Sequence, residues 1–362
     1  MKDTKKATVA PASGVGAGTL VLTERGFIPV ETVKTEDTVR SHDGKMHDVL
    51  GGNKATSQVY NIECLPNAPF AATGDRRLYV SRVYNGKIEP PTWRTPAAMV
   101  KKYKSSGLIK DRYYLGFPIS TKSETPTWPG IDVWTSGNKF VHRKTVDTSD
   151  GNLWYTVGQF LACGVIRKQY KPGKRRLMYN GAILYTKKAA TPNTVKKVSK
   201  AVNCYVSEGK KKDRVYLMNV ELGFFLARFC AGDRKFIPPF VYDLSTTNLK
   251  MLVLGFFEAI PENIGNKFLK KYECDNLPLL IGMVMCIHKA YGRQCFIDKT
   301  EKGYQLMFNF NKRRSDFAIF TKDYAWYPIT SITKGDDVED IYDLDVDTAK
   351  SFVVNGCVNK PK

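Results

Sequence analysis

Histidine is scarce in this chain, with only His42, His47, His142 and His288 in 362 residues, and no two cysteines form a Cys-x-x-Cys pair. None of the eight cysteines (Cys64, Cys163, Cys204, Cys230, Cys274, Cys286, Cys295, Cys357) lies close to two histidines, which excludes zinc-finger spacing. They are expected to be buried small hydrophobes in a reducing compartment rather than a disulfide framework. No apolar segment follows the basic start Met1-Lys-Asp-Thr-Lys-Lys6, so a secretory signal is not expected. The longest apolar runs, near 251–259 and 277–287, are too short to cross a bilayer. The expectation is an intracellular chain, not secreted and without a membrane partner, for which a nuclear or DNA-associated location stays open. Acid is also in short supply: 35 Asp and Glu face 56 Lys and Arg, a net charge of +21 that favours an acidic partner, nucleic acid first.

What is present is a core-forming composition, 43% hydrophobic and 12% aromatic, long enough for two or three domains. Residues 1–12 read as a flexible basic tail. From Thr19 to Ile62, short apolar runs alternate with Arg-Gly and Asp-Gly turns, an all-β pattern. Connections rich in Pro and Trp (Pro90-Pro91, then Pro126 to Pro129) lead to helical periodicity from Leu153 to about Asn311, and the β signal returns at Trp326 to Ile329. In the segment from Asp340 to Gly356, Ile341, Leu344 and Val346, then Phe352 to Val354, read as a terminal hairpin of two short strands. A β domain split by a mixed α/β insertion fits this order.

Several segments, in order, resemble a known family. Gly18-Thr-Leu-Val-Leu-Thr-Glu-Arg-Gly26 resembles the first splicing motif of inteins and other Hint domains. Ala72-Thr-Gly-Asp-Arg-Arg-Leu-Tyr-Val80 resembles their second, a threonine, two residues and a histidine. Tyr114-Leu-Gly-Phe-Pro-Ile119 is similar to the strand that leads into an insertion, and the segment from Asp340 to Gly356 to the family's C-terminal motif. The insertion resembles a LAGLIDADG (DOD-type) homing endonuclease, in Lys235-Phe-Ile-Pro-Pro-Phe-Val241 followed by Leu249 to Ala259, and in a weaker first copy from Trp154 to Ile166. In both copies small residues (Gly158 and Ala162; Gly255 and Ala259) recur on one helix face, which allows two helices to cross closely. The implied architecture is an all-β Hint module at 13–125 and 322–362, interrupted by an α/β domain at 126–321 with pseudo-twofold halves at about 152–232 and 233–321. The second half leaves little room between 260 and 275 for a hairpin matching the first.

The resemblance also implies positions for chemistry, and each holds the wrong residue. Splicing begins with a Cys or Ser nucleophile, whose position is Gly14, with Ser13 beside it as a displaced candidate. The second-motif histidine is Arg76, which cannot exchange a proton at neutral pH. The later catalytic histidine position is Lys350, Lys360 and Pro361 fill the terminal His and Asn positions, and Asn359 falls two residues early. The two acids that hold Mg²⁺ in the endonucleases correspond to Cys163 and Ile260, neither a ligand for a hard cation. Glu258 lies two residues early and projects from another face.

No intact catalytic residue, no metal site and no cofactor are expected, Mg²⁺ entering only if nuclease activity persists. The function implied is a degenerate or domesticated intein and homing endonuclease that binds double-stranded DNA as a monomer with internal pseudo-symmetry. Candidate DNA contacts are Arg167, Lys168, Lys171, Lys174, Arg175 and Arg176 on one expected hairpin and Lys210, Lys211, Lys212 and Arg214 on another. The alternatives are an active site-specific endonuclease using displaced acids (Glu258, Glu262 or Asp275) and a structural or virion-type interaction protein.

Overall fold

Short glycine turns shape the first strands. Leu20–Thr23 and Gly26–Pro29 pair across Glu24-Arg25, with Gly26 at φ 83°, a backbone state that costs glycine little. The computed structural model describes residues 13–64, 69–84, 87–106, 113–134, 140–170, 177–185, 205–208, 214–260, 263, 269–309 and 318–360. It is mostly β-sheet, with five α-helices among these residues, and the chain divides into two compact units: 1–118 with 317–362, and 119–316. No helix among the described residues is long and apolar enough to cross a membrane.

The first unit is a sheet built from both ends of the chain. Met46–Cys64 pairs antiparallel with Tyr324–Val346, from Cys64 opposite Ile329 to Val49 opposite Val346, with shifts of register after Ile329, Lys334 and Asp345. Arg77–Tyr84 is bordered by Tyr113–Pro118, Thr92–Arg94 and Cys357–Lys360. Val21, Val39, Val59, Leu78, Leu115, Val354 and Val358 fill its core without exposure. The expected terminal hairpin is corrected here. Ile341 to Val346 belong to the long ladder, while Phe352–Val354 pairs with Val21 and turns through Asn355-Gly356 into Cys357–Lys360. Asn355 and Gly356 have φ of 45° and 85°, the two positive values that a two-residue hairpin turn requires. The unit is also not all β: Pro96–Ser106 is a helix, started by proline at its first position, with Thr95 Oγ1 accepting from the Ala98 amide and Met99 buried.

In the second unit a short antiparallel pair, Ile131–Trp134 with Phe140–Arg143, precedes helix Gly151–Cys163, capped by Asp150, which is crossed by Thr246–Glu258, capped by Ser245. The two backbones touch. A Cβ on Gly158 would lie 2.1 Å from the Leu252 carbonyl oxygen, and one on Gly255 2.1 Å from that of Tyr155. After the first helix, Gly164–Tyr170, Leu177–Tyr185, Arg214–Met218 and Tyr205–Glu208 form a four-stranded antiparallel sheet in that order. After the second, Leu269–Cys274, Gly303–Asn309 and Cys295–Thr300 make a three-stranded one, with a single strand where the first half has a hairpin. Helix Leu277–Tyr291 stands between, ended by left-handed Gly292. Residues 186–204 lie outside the described residues, and Tyr205 begins the strand Tyr205–Glu208. Glu221, on helix Val220–Ala227, is fully buried and accepts from Trp128 Nε1 (2.6 Å), from the amide and hydroxyl of Thr145 (2.7 and 2.6 Å) and from the Val146 amide (3.1 Å).

Candidate functional sites

In the first unit, Gly14, Arg76 and Asn359, expected from the resemblance to lie at or beside the splicing chemistry, are each tied into buried hydrogen bonds, while Lys350 is not. Gly14 is clamped by Thr73, whose hydroxyl accepts from the Gly14 amide (3.1 Å) and whose amide donates to the Gly14 carbonyl (2.9 Å). The position cannot simply take a side chain: a Cβ would lie 2.8 Å from the Tyr342 carbonyl oxygen. Ser13 Oγ is buried without a hydrogen-bond partner. Three residues beyond Thr73, Arg76 is fully buried; its Nε donates to Asn359 Oδ1 (2.7 Å), its Nη1 to Asp343 Oδ1 (2.5 Å), and its guanidinium sits 4.9 Å over the Phe352 ring. Burial pulls the Arg76 pKa down and Asp343 opposes the pull. Asn359 Nδ2 in turn donates to the Phe352 carbonyl (2.8 Å), so both ends of this amide are engaged. Lys350 is elsewhere, on an exposed turn at φ 50°, paired with Asp345 at 3.2 Å.

Sequence reasoning missed Asp343 and Asn359 as the partners of Arg76. The available signal was Arg76 itself, since a guanidinium among apolar strands demands a carboxylate.

In the second unit, Cys163 closes the first motif helix and its Sγ donates to the Gln159 carbonyl (3.3 Å). Ile260 stands beyond the end of the second helix, its amide on the Phe257 carbonyl. Glu258 accepts from Tyr155 Oη (2.9 Å) across the helix seam. The carbonyl end of the first helix is occupied by the chain's own donors: Lys235 Nζ reaches Phe160 O (2.8 Å) and Leu161 O (3.1 Å), and Tyr272 Oη reaches Ala162 O (2.8 Å). Burial lowers the Lys235 pKa, against the opposing influence of Cys163, Cys230 and Cys274. Thiol, alkyl and ammonium groups do not make a site for a hard divalent cation, which needs oxygen ligands. Among the described residues no group of three or more His, Cys, Asp or Glu side chains is placed to hold a metal ion.

Of the candidate DNA contacts, Arg167 and Arg214 are on the open face of the four-stranded sheet. Val165, Ile183 and Tyr216 share a cross-strand row there; Arg167 and Arg214 stand two residues from Val165 and Tyr216, in phase with them, and Arg167 Nη1 donates to Met218 Sδ (3.1 Å). Lys168 is in the same sheet, opposite Tyr179. Lys171, Lys174, Arg175, Arg176, Lys210, Lys211 and Lys212 lie outside the described residues.

Comparison with known proteins gives no matching family model and no matching curated sequence. Among solved structures the chain is similar to inteins and to a homing endonuclease. The G-1F mutant of the Ssp DnaB mini-intein variant M86 is 9% identical over 97% of this chain and 99% of its own, with a TM-score of 0.32. The gp41-1 intein is 14% identical over 23% of this chain and 80% of its own (TM-score 0.18). The homing endonuclease I-WcaI, bound to its DNA recognition sequence, is 10% identical over 46% of this chain and 78% of its own (TM-score 0.30). At such scores none of these likenesses fixes a family for the chain.

Proposed function

We propose that this chain is a Hint splicing module interrupted by a LAGLIDADG-type endonuclease domain, that neither chemistry survives in it, and that its remaining activity is binding double-stranded DNA. The observation that carries the reading is the end of the first motif helix, where a thiol stands at the acid position and Lys235 occupies the carbonyls beside it. A two-acid cation site needs oxygens from both helices, and Cys163 and Ile260 offer none. The splicing centre supports the same conclusion. An arginine locked between Asp343 and Asn359 is no proton shuttle, and Gly14 has no nucleophile. The net charge of +21 and the in-phase Arg167 and Arg214 support a nucleic-acid partner.

The test uses the purified full chain with genomic duplex fragments, with and without Mg²⁺, and intact mass spectrometry of the protein. Binding without cleavage and a single unprocessed mass are expected. Metal-dependent cutting that persists in Cys163→Ala/Ile260→Ala but disappears in Glu258→Gln would show an active centre moved to Glu258. Scission beside Gly14 or Asn359, blocked by Ser13→Ala or Asn359→Ala, would overturn the loss of splicing.

A further inference from the structure

The two larger sheets of the second unit present opposite electrostatic faces. Both are covered by helices on one side, where Leu184, Val215 and Leu217 of the four-stranded sheet, and Tyr272, Leu306 and Phe308 of the three-stranded one, are buried. On the open side of the four-stranded sheet the described in-phase charges are Arg167 and Arg214. Strands Gly164–Tyr170, Leu177–Tyr185 and Arg214–Met218 contain no Asp or Glu.

The three-stranded sheet reverses this. Glu273, Gln305 and Asp298 form one row straight across all three strands, with Glu273 and Asp298 both exposed, and Thr300 Oγ1 donates to Glu273 Oε1 (2.7 Å) on the same face. The next row is Lys271, Met307 and Phe296, so two carboxylates face one ammonium. Lys299 is one residue out of phase. The basic run Lys312, Arg313 and Arg314 follows these strands in sequence, outside the described residues.

Resting on the DNA-binding reading above, we propose that duplex DNA engages the second unit through the four-stranded sheet alone, and that Glu273 and Asp298 hold phosphates off the three-stranded one. The recognised element is then a half-site. Carboxylates inside a Debye length of about 10 Å at 0.1 M salt repel a DNA backbone, whereas the arginine face attracts it. The longest strand of that sheet has nine residues, Leu177–Tyr185. At about 3.3 Å per residue such a strand spans roughly 30 Å, or about nine base pairs at about 3.4 Å each.

The test compares the salt dependence of full-chain binding to 12- and 24-base-pair duplexes of the same core sequence, lengths chosen as roughly one and two helical turns. Equal log-log slopes are expected. A slope steeper by about 1.8 or more on the longer duplex means at least two additional phosphate contacts and overturns the half-site. In Glu273→Lys/Asp298→Lys, checked for folding by circular dichroism, the slope is expected to steepen on the longer duplex and stay unchanged on the shorter. A tenfold loss of affinity in Glu273→Gln/Asp298→Asn would mean that the carboxylates already touch bases, and would also overturn it. If the wild type binds neither duplex, the DNA-binding reading itself fails and takes the half-site with it.

Discussion

Arg76 sits where the family resemblance expects a histidine, and its surroundings supply partners for a permanent charge. Asp343 supplies the counter-charge across 267 residues of sequence and Asn359 a neutral acceptor across 283. Removing one member of a buried pair strands the other, at a cost of about 3–5 kcal/mol. Arg76→Met is therefore expected to lower the denaturation free energy by that order. Asp343→Asn is expected to cost more, because it strands the fully buried Arg76 guanidinium, whereas Arg76→Met strands an Asp343 side chain that is 23% exposed. Urea melts of the two variants decide this; equal and small losses would show that the pair is not structural. Nothing local in Ile-Tyr-Asp-Leu distinguishes Asp343 from the exposed acids around it, so this contact was invisible in the sequence although the buried arginine was in plain view.

Glycine gives the two motif helices their seam. In an exposed helix, Gly→Ala stabilises by up to about 1 kcal/mol. At Gly158 and Gly255 the sign is expected to reverse, since the added carbon would sit 2.1 Å from a carbonyl oxygen of the facing backbone. Overpacking costs about 1–3 kcal/mol or more, and two such contacts across one seam cannot relax independently. Thermal melts of Gly158→Ala and Gly255→Ala are expected to shift downward; an upward shift in either would mean that the helices do not touch there. These helices were legible because small residues at helical spacing encode close approach locally. The Asn355-Gly356 turn was not read as one, although Asn-Gly is a two-residue hairpin signal, and the partner of Ile341 to Val346 was hidden because that ladder joins the two ends of the chain. Helix Pro96–Ser106 was missed because the segment after Pro90-Pro91 read as a connection, although proline at a first helical position is a start signal.

At the scale of the whole molecule, two buried groups contribute to the response to acid. Burial pushes His288 down to about 3 from an ordinary 6.5. Burial works to raise the Glu221 pKa, but hydrogen bonds from Thr145, Val146 and Trp128 overcome it and hold the carboxylate below its ordinary 4.5. Both folded values are depressed, so both contributions are complete at neutral pH and lost on acidification: His288 from about pH 6.5 downward, Glu221 below about 4.5 as pH falls through its lowered value. Denaturation free energy is expected to fall between pH 6.5 and 4.5 by up to about 1.4 kcal/mol per pH unit from His288 alone. His288→Gln is expected to flatten that slope, and an unchanged slope would assign it to other groups.

The first unit draws its strands from both chain ends, with Leu20 and Asn355 meeting across 335 residues. During synthesis this has a price in time. Val21, Val59 and Leu78 leave the ribosome long before Tyr324–Val346 and Phe352–Val354 exist to cover them. At about 5–20 residues per second, making the roughly 200 intervening residues takes about 10–40 s. For that interval the nascent N-terminal strands can pair only with one another, and the edges that the C-terminal strands cover stay open, which makes this end of the chain a natural client for a chaperone and exposes it to misassembly with a neighbouring copy.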